Sequence, residues 1–273
     1  MKAIVGAVLI DGAGGPPVSD SVVAVAGGVI QMAGPRGGNP LPAEADKIDG
    51  SGQYIVPGLI DVYPLAGAPP SMTTPEEARA RVAELAARKA PALHVGMLAP
   101  AVAQAAGEAA RQAGLAVVGH VSTEAGVKLL VANGASSFVG MIADRDDLDP
   151  ALVARLRDLR IVFAPALASF GAAGELAGRN THRLFAAGVP IAVASAGGDF
   201  YRETQLLVAA GIPPLDVIVA ATSHGAMALH QLDQRGTVQP GKRADLLLLS
   251  ANPGEDIRNL VPARRMTAGE WQR

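Results

Sequence analysis

Cysteine is missing from this chain, which excludes disulfide staples, thiolate nucleophiles and cysteine-ligated zinc. A charge bias is missing too. The formal net charge is only -2, and no run of Lys/Arg or Asp/Glu is long enough to make a surface tail of one sign, so neither nucleic acid nor an anionic membrane is implied as a partner. No apolar stretch approaches the roughly 20 residues needed to span a bilayer. The run from Ala3 to Ile10 has the hydropathy of a signal peptide's apolar part, but no small-residue cleavage site follows cleanly, and its length and flanks read as a strand. The expected compartment is the cytoplasm. What is present is a 49% apolar, 18% charged chain of 273 residues, long enough to bury a substantial core. Its 32 Gly and 20 Pro are scattered between apolar runs, as in a globular fold with many short turns.

From Met1 to Tyr54, short apolar runs alternate with Gly, Asp, Asn and Pro turns, the pattern of an antiparallel β unit. The same texture returns where Gly241-Lys242-Arg243-Ala244-Asp245 leads into Leu246 to Leu249. A small β-sandwich built from both chain termini, residues 1–56 with 235–273, is expected. The middle, 57–234, has a different rhythm. Apolar runs at Ile55 to Ile60, Leu93 to Met97, Leu115 to Val118, Phe138 to Met141, Ile161 to Phe163 and Ile191 to Ala194 are each followed by a helical stretch. Thr74-Pro75-Glu76-Glu77 is a helix start with Pro in the first turn and acidic residues behind it, and Ala-rich periodic runs follow at 99–113 and 123–133. Strand-helix repetition predicts an α/β fold with parallel strands. Six strands over about 180 residues fall short of the eight strands and ~250 residues of a closed TIM barrel, so an incomplete TIM-like (β/α) barrel is expected.

Three motifs open the chain: Asp11-Gly12 with its Gly-rich turn, Ile48-Asp49-Gly50-Ser51-Gly52, and Val56-Pro57-Gly58-Leu59-Ile60-Asp61. Another set closes it: Gly236-Thr237-Val238, Pro240-Gly241-Lys242-Arg243-Ala244-Asp245-Leu246, Asn252-Pro253 and Asp256-Ile257-Arg258-Asn259-Leu260. Singly each is weak. In this order, at either end of an α/β middle, they resemble the metal-dependent amidohydrolase superfamily, and within it the imidazolonepropionase and Xaa-Pro dipeptidase branch. The resemblance covers nearly the whole chain except a gap after Asp61, where a Pro/Gly loop runs directly to the helix at Thr74. It implies that the second and third strands of a truncated amidohydrolase-like barrel are absent.

Members of that family hold one or two divalent metals at the barrel's C-terminal rim, acidify a bound water and move its proton with an Asp. The resemblance lets each ligand position be compared. The family's His-x-His after the first-strand Asp corresponds to Tyr63 and Leu65. Its bridging carbamylated lysine corresponds to His94, which can ligate but cannot form that bridge. His120 stands where the family has a histidine. A further family histidine corresponds to Gly140, and the general-base Asp to Ala196. Asp199, three residues on, is a weak candidate for the missing base.

Two His plus Asp199 could form a three-ligand open site, whereas the plainer reading makes His94 and His120 hydrogen-bonded rim residues. His182 reads as solvated on a helix face, His224 as structural at a loop-to-helix junction, and His230 as a surface residue at a helix end. No Gly-x-Ser-x-Gly elbow, phosphate-cradling Gly-x-x-x-x-Gly-Lys-Ser/Thr or dinucleotide Gly-x-Gly-x-x-Gly occurs. Two functions follow as expectations. One is a non-catalytic amidohydrolase homologue without a cofactor, a homo- or hetero-oligomer that includes an active amidohydrolase paralogue among its expected partners. The other is a hydrolase of small C-N substrates, with zinc or another divalent metal in a rebuilt mononuclear site.

Overall fold

A computed structural model describes residues 1–272. Arg273, the last residue of the expected terminal unit, lies outside them. The chain divides into two compact units: Met1–Ile60 with Pro213–Ala226 and the residues from Gln231 on, and Asp61–Ile212 with Met227–His230. The sequence-based division at 56/57 and 234/235 differs in assigning Pro213–Ala226 to the middle.

The amino-terminal strands are β1 (Lys2–Leu9), β2 (Val18–Ala26), β3 (Val29–Pro35), β4 (Asp46–Asp49) and β5 (Tyr54–Pro57). Val, Ile and Ala dominate β1 and β2, where β-branched side chains suit a pleated, half-buried surface.

The second unit alternates helices and strands. Helix α1 (Pro75–Ala87) starts where the sequence predicts: the Thr74 hydroxyl accepts from the Glu77 amide at 3.2 Å, and the Glu77 carboxylate accepts from the Thr74 amide at 3.3 Å. This reciprocal pairing satisfies two amides that a helix start would otherwise leave bare. There follow β6 (Ala92–Val95), α2 (Pro100–Ala113), β7 (Ala116–Val121), α3 (Glu124–Ala132), β8 (Ser137–Gly140), α4 (Pro150–Asp158), β9 (Val162–Ala164), α5 (Gly174–Ala186) and α6 (Phe200–Ala209). The strands form a parallel sheet in the order β6-β7-β8-β9.

Extended chain continues past β9. The Ala192 amide donates to the Phe163 carbonyl at 2.7 Å, and the Val62 amide to the Val193 carbonyl at 3.0 Å. Here the sequence reading needs correction. The run Ile55 to Ile60 is not the expected first parallel strand: Ile55 to Pro57 belong to β5 of the terminal sheet, and the chain meets the parallel strands only past the run, at Val62 and Tyr63. Phe138 and Phe163 are fully buried with ring centroids 5.0 Å apart, and each such side chain contributes about 1.5–3 kcal/mol on leaving water.

The first unit is completed by α7 (Pro214–Val219), a wide helical turn at Ala220–His224, α8 (Gly225–Ala228, whose last two residues fall in the second unit), β10 (Leu246–Leu249), β11 (Arg264–Thr267) and β12 (Glu270–Trp271). Strands from both ends share one eight-stranded sheet, β12-β11-β10-β5-β1-β2-β3, with β4 alongside β1. The junction is β5 against β10, where Ile55 and Leu248 pair in a core with Ile4, Val23, Ile30 and Met266. The fold is thus mixed α/β, with a parallel sheet and helices. Among the described residues no helix is long and apolar enough to cross a membrane.

Candidate functional site

Parallel register brings the two rim histidines together. His94 of β6 pairs with Val118 of β7, and His120 lies two residues beyond Val118, so both imidazoles point to the same face at the C-terminal ends of neighbouring strands. His94 Nδ1 and His120 Nε2 are 3.0 Å apart, a hydrogen bond in which one ring donates and the other accepts. Tyr63, 5% exposed, packs onto both: its ring centroid is 4.8 Å from His94 and 4.3 Å edge-on from His120, and its hydroxyl donates to the Gly67 carbonyl at 3.1 Å. Burial pushes each imidazole down to about 4, with the neighbouring His94 adding to the effect at His120, so both rings are neutral at pH 7.

The other positions compared with family ligands are shaped by backbone. Gly140 has φ +93°, and a Cβ there would lie 2.3 Å from the Val121 carbonyl oxygen, so no side chain fits without moving the strand. Ala196 is left-handed, with φ +49°, and its amide donates to the Tyr63 carbonyl at 2.9 Å. At Gly197 a Cβ would meet Ala66 at 2.6 Å, so the loop after Tyr63 lies directly on this turn. Leu65 is 64% exposed. Asp199 is exposed and caps α6, accepting from the Tyr201 and Arg202 amides at 2.9 and 3.4 Å. His182 is exposed on α5, and His230 is exposed with Nε2 3.1 Å from the Ser136 hydroxyl. His224 is half-buried in the turn between α7 and α8.

Sequence reading missed a second cluster at the same rim. Asp61 Oδ1 accepts from the Tyr63 and Ser195 amides, both at 3.0 Å, and Oδ2 accepts from the Ser195 hydroxyl. Glu203, 2% exposed in α6, accepts from the Leu167 and Ala168 amides at 2.8 Å each and so pins the loop after β9. Burial pushes its carboxyl up, against the downward pull of the two amides, and nearby Asp61 adds to the rise. The signal was available: Glu203 stands four residues before buried Leu207, on the apolar stripe of α6.

A divalent metal needs at least three converging donors. The pair of imidazoles spends a nitrogen of each ring on the other, and among the described residues no three His, Asp or Glu side chains are grouped to hold an ion. The donor set does not fit the family's metal centre.

Residues 179–271 match the sequence model of the amidohydrolase family. Solved structures share the fold over nearly the whole chain. An Xaa-Pro dipeptidase with methionine bound in its active site is 15% identical, with TM-score 0.85 and 99% of both chains covered. Ochratoxinase from A. niger is 16% identical, with TM-score 0.86, covering 99% of this chain and 95% of that one. Phenylurea hydrolase B is 20% identical, with TM-score 0.83, covering 99% and 96%. No curated protein matches in sequence. The sequence match to the amidohydrolase family is confined to residues 179–271. The fold is the one shared with the Xaa-Pro dipeptidase, ochratoxinase and phenylurea hydrolase B structures.

Proposed function

We propose that this chain is a non-catalytic amidohydrolase homologue, acting as a subunit or binding module beside an active relative. One observation carries the reading: Tyr63 packs against a mutually hydrogen-bonded His94–His120 pair where the family places metal ligands. The backbone approaches at Gly140 and Gly197 support it, because they leave no room for the donors that would complete a metal shell. A shortened barrel is part of the proposal. Among the described residues no strand lies between Pro57 and Ala92, and β6 hydrogen-bonds as a strand only with β7. An unpaired edge, with Leu65 and Met97 64% and 69% exposed near the rim, suits coverage by another chain.

The competing reading, a hydrolase of small C-N substrates around a rebuilt mononuclear site, has one observation in its favour: both imidazoles are neutral at pH 7, the form that ligates. Elemental analysis of chain expressed with zinc, a dipeptide-cleavage assay and sedimentation together test the two. The non-catalytic reading expects substoichiometric metal, no cleavage, and association with itself or with an active paralogue. Stoichiometric metal lost in His120→Ala, with cleavage that stops on chelation, would establish the hydrolase instead; a lone monodisperse monomer would end the subunit role.

A further inference from the structure

A groove of about 880 Å³ runs between α5 and α6 and the loop at Leu167 and Ala168, lined by none of Tyr63, His94 and His120. That volume falls within the ~300–1,000 Å³ of small-molecule pockets. Small residues keep it open. Gly178 on α5 faces Ala210, with 3.9 Å between its Cβ position and the Ala210 Cβ, and Gly211 abuts the His182 ring, where a Cβ would come within 2.8 Å of Nδ1. Leu206, Ala209 and Ala210 give the α6 side an apolar wall.

The charges on this groove are unequal in what they have left to offer. Arg179 is paired with Glu175 at 2.7 Å and with Asp146 at 3.6 Å, and Arg183 pairs with the same Asp146. Arg202, exposed near the start of α6, makes no side-chain hydrogen bond or ion pair among the described residues. Arg202, whose charge acts on the neighbouring Glu203 carboxyl without an ion pair or hydrogen bond, therefore stands at one end of the groove with its donors open. His182 stands at the other, beside Gly211, and seven residues of α6 rise separate Arg202 from Ala209 at the helix end, about 10 Å, with Gly211 two residues beyond.

We infer that this groove binds a small amphipathic carboxylate, its acidic head on Arg202 and its apolar body along Leu206, Ala209 and Ala210. A single guanidinium without an ion-pair partner matches a single negative charge; a phosphate dianion would bring excess charge with no second unpaired guanidinium to meet it. A nucleotide is disfavoured because no Phe, Tyr or Trp lines the groove to stack a base.

Calorimetric titration of the full chain with sodium octanoate tests this, with inorganic phosphate as the comparison probe and thermal unfolding to verify that each variant is folded. Saturable one-to-one binding with Kd below about 1 mM is expected for octanoate. Arg202→Gln should weaken it at least fivefold, and Ala209→Phe, an exposed position that would fill the groove, should abolish it. Absence of saturable octanoate binding, phosphate binding as tight as octanoate, or octanoate binding unchanged in both variants would overturn the assignment. The outcome is separable from the non-catalytic reading, which concerns the rim and its metal content.

Discussion

Tyr63, His94 and His120 press three rings together with a single hydrogen bond between the imidazoles, whereas Asp61 and Glu203, on the same rim, collect four amides and a hydroxyl between them. The carboxylates act as fasteners: each ties a loop to the sheet by satisfying backbone donors that burial would otherwise strand, at about 1–3 kcal/mol per stranded group. The imidazoles act as packing, neutral because water has been removed from them. One rim thus holds its charged and its aromatic groups by different means, the carboxylates by backbone amides and the imidazoles by ring packing and one mutual hydrogen bond.

The largest expected effect comes from forcing a donor side chain onto Gly140. Gly140→His must move the Val121 carbonyl and hold a side chain at φ +93°, and should lose about 4 kcal/mol of stability, measured by urea unfolding. Unchanged stability would mean that the strands can part to admit a donor, and the contrast between packed and fastening residues would fail.

Acidity separates the two clusters next, because their linkages have opposite signs. A depressed imidazole pKa contributes stability above about 6.5 that is lost as pH falls toward the folded value of about 4. A raised carboxyl pKa at Glu203 contributes most at acid pH, and that contribution is lost as pH climbs through the raised value. Between pH 6.5 and 4.5 the imidazole pair should dominate, with a net loss of roughly 2 kcal/mol after allowance for partial exposure. His94→Phe should reduce that loss, whereas Glu203→Gln should deepen the fall toward acid pH by removing the opposing term. A urea midpoint flat over this range would show the imidazoles to be solvated.

The smallest effect is at Asp199. As a helix cap it should cost about 1 kcal/mol on replacement by Ala, with no change in metal content. Metal lost in Asp199→Ala would return it to the candidate ligand set.

Much of this was legible in order along the chain. The capping box at Thr74, the strand at Lys2–Leu9 and the strand-helix alternation from Ala92 to Ala186 depend on neighbours in sequence, and local rules find them. His94 and His120 could be paired in advance because parallel register and a two-residue period constrain neighbouring strands strongly. Residues 55–60 were harder: an apolar run carries no mark of which sheet will claim it, and β10 claimed its first half. Glu203 was hidden for a related reason, since an acid on an apolar stripe makes sense only once the bare amides of Leu167 and Ala168 arrive from 36 and 35 residues away.

By itself the sequence determined the class of fold and which side-chain types stand at the positions compared with family ligands, because those are matters of period and of side-chain chemistry. Whether the remaining donors converge was decided only in three dimensions. There Tyr63 fills the space between strand ends, and the Val121 carbonyl closes the place beside Gly140, since close packing leaves no volume unassigned.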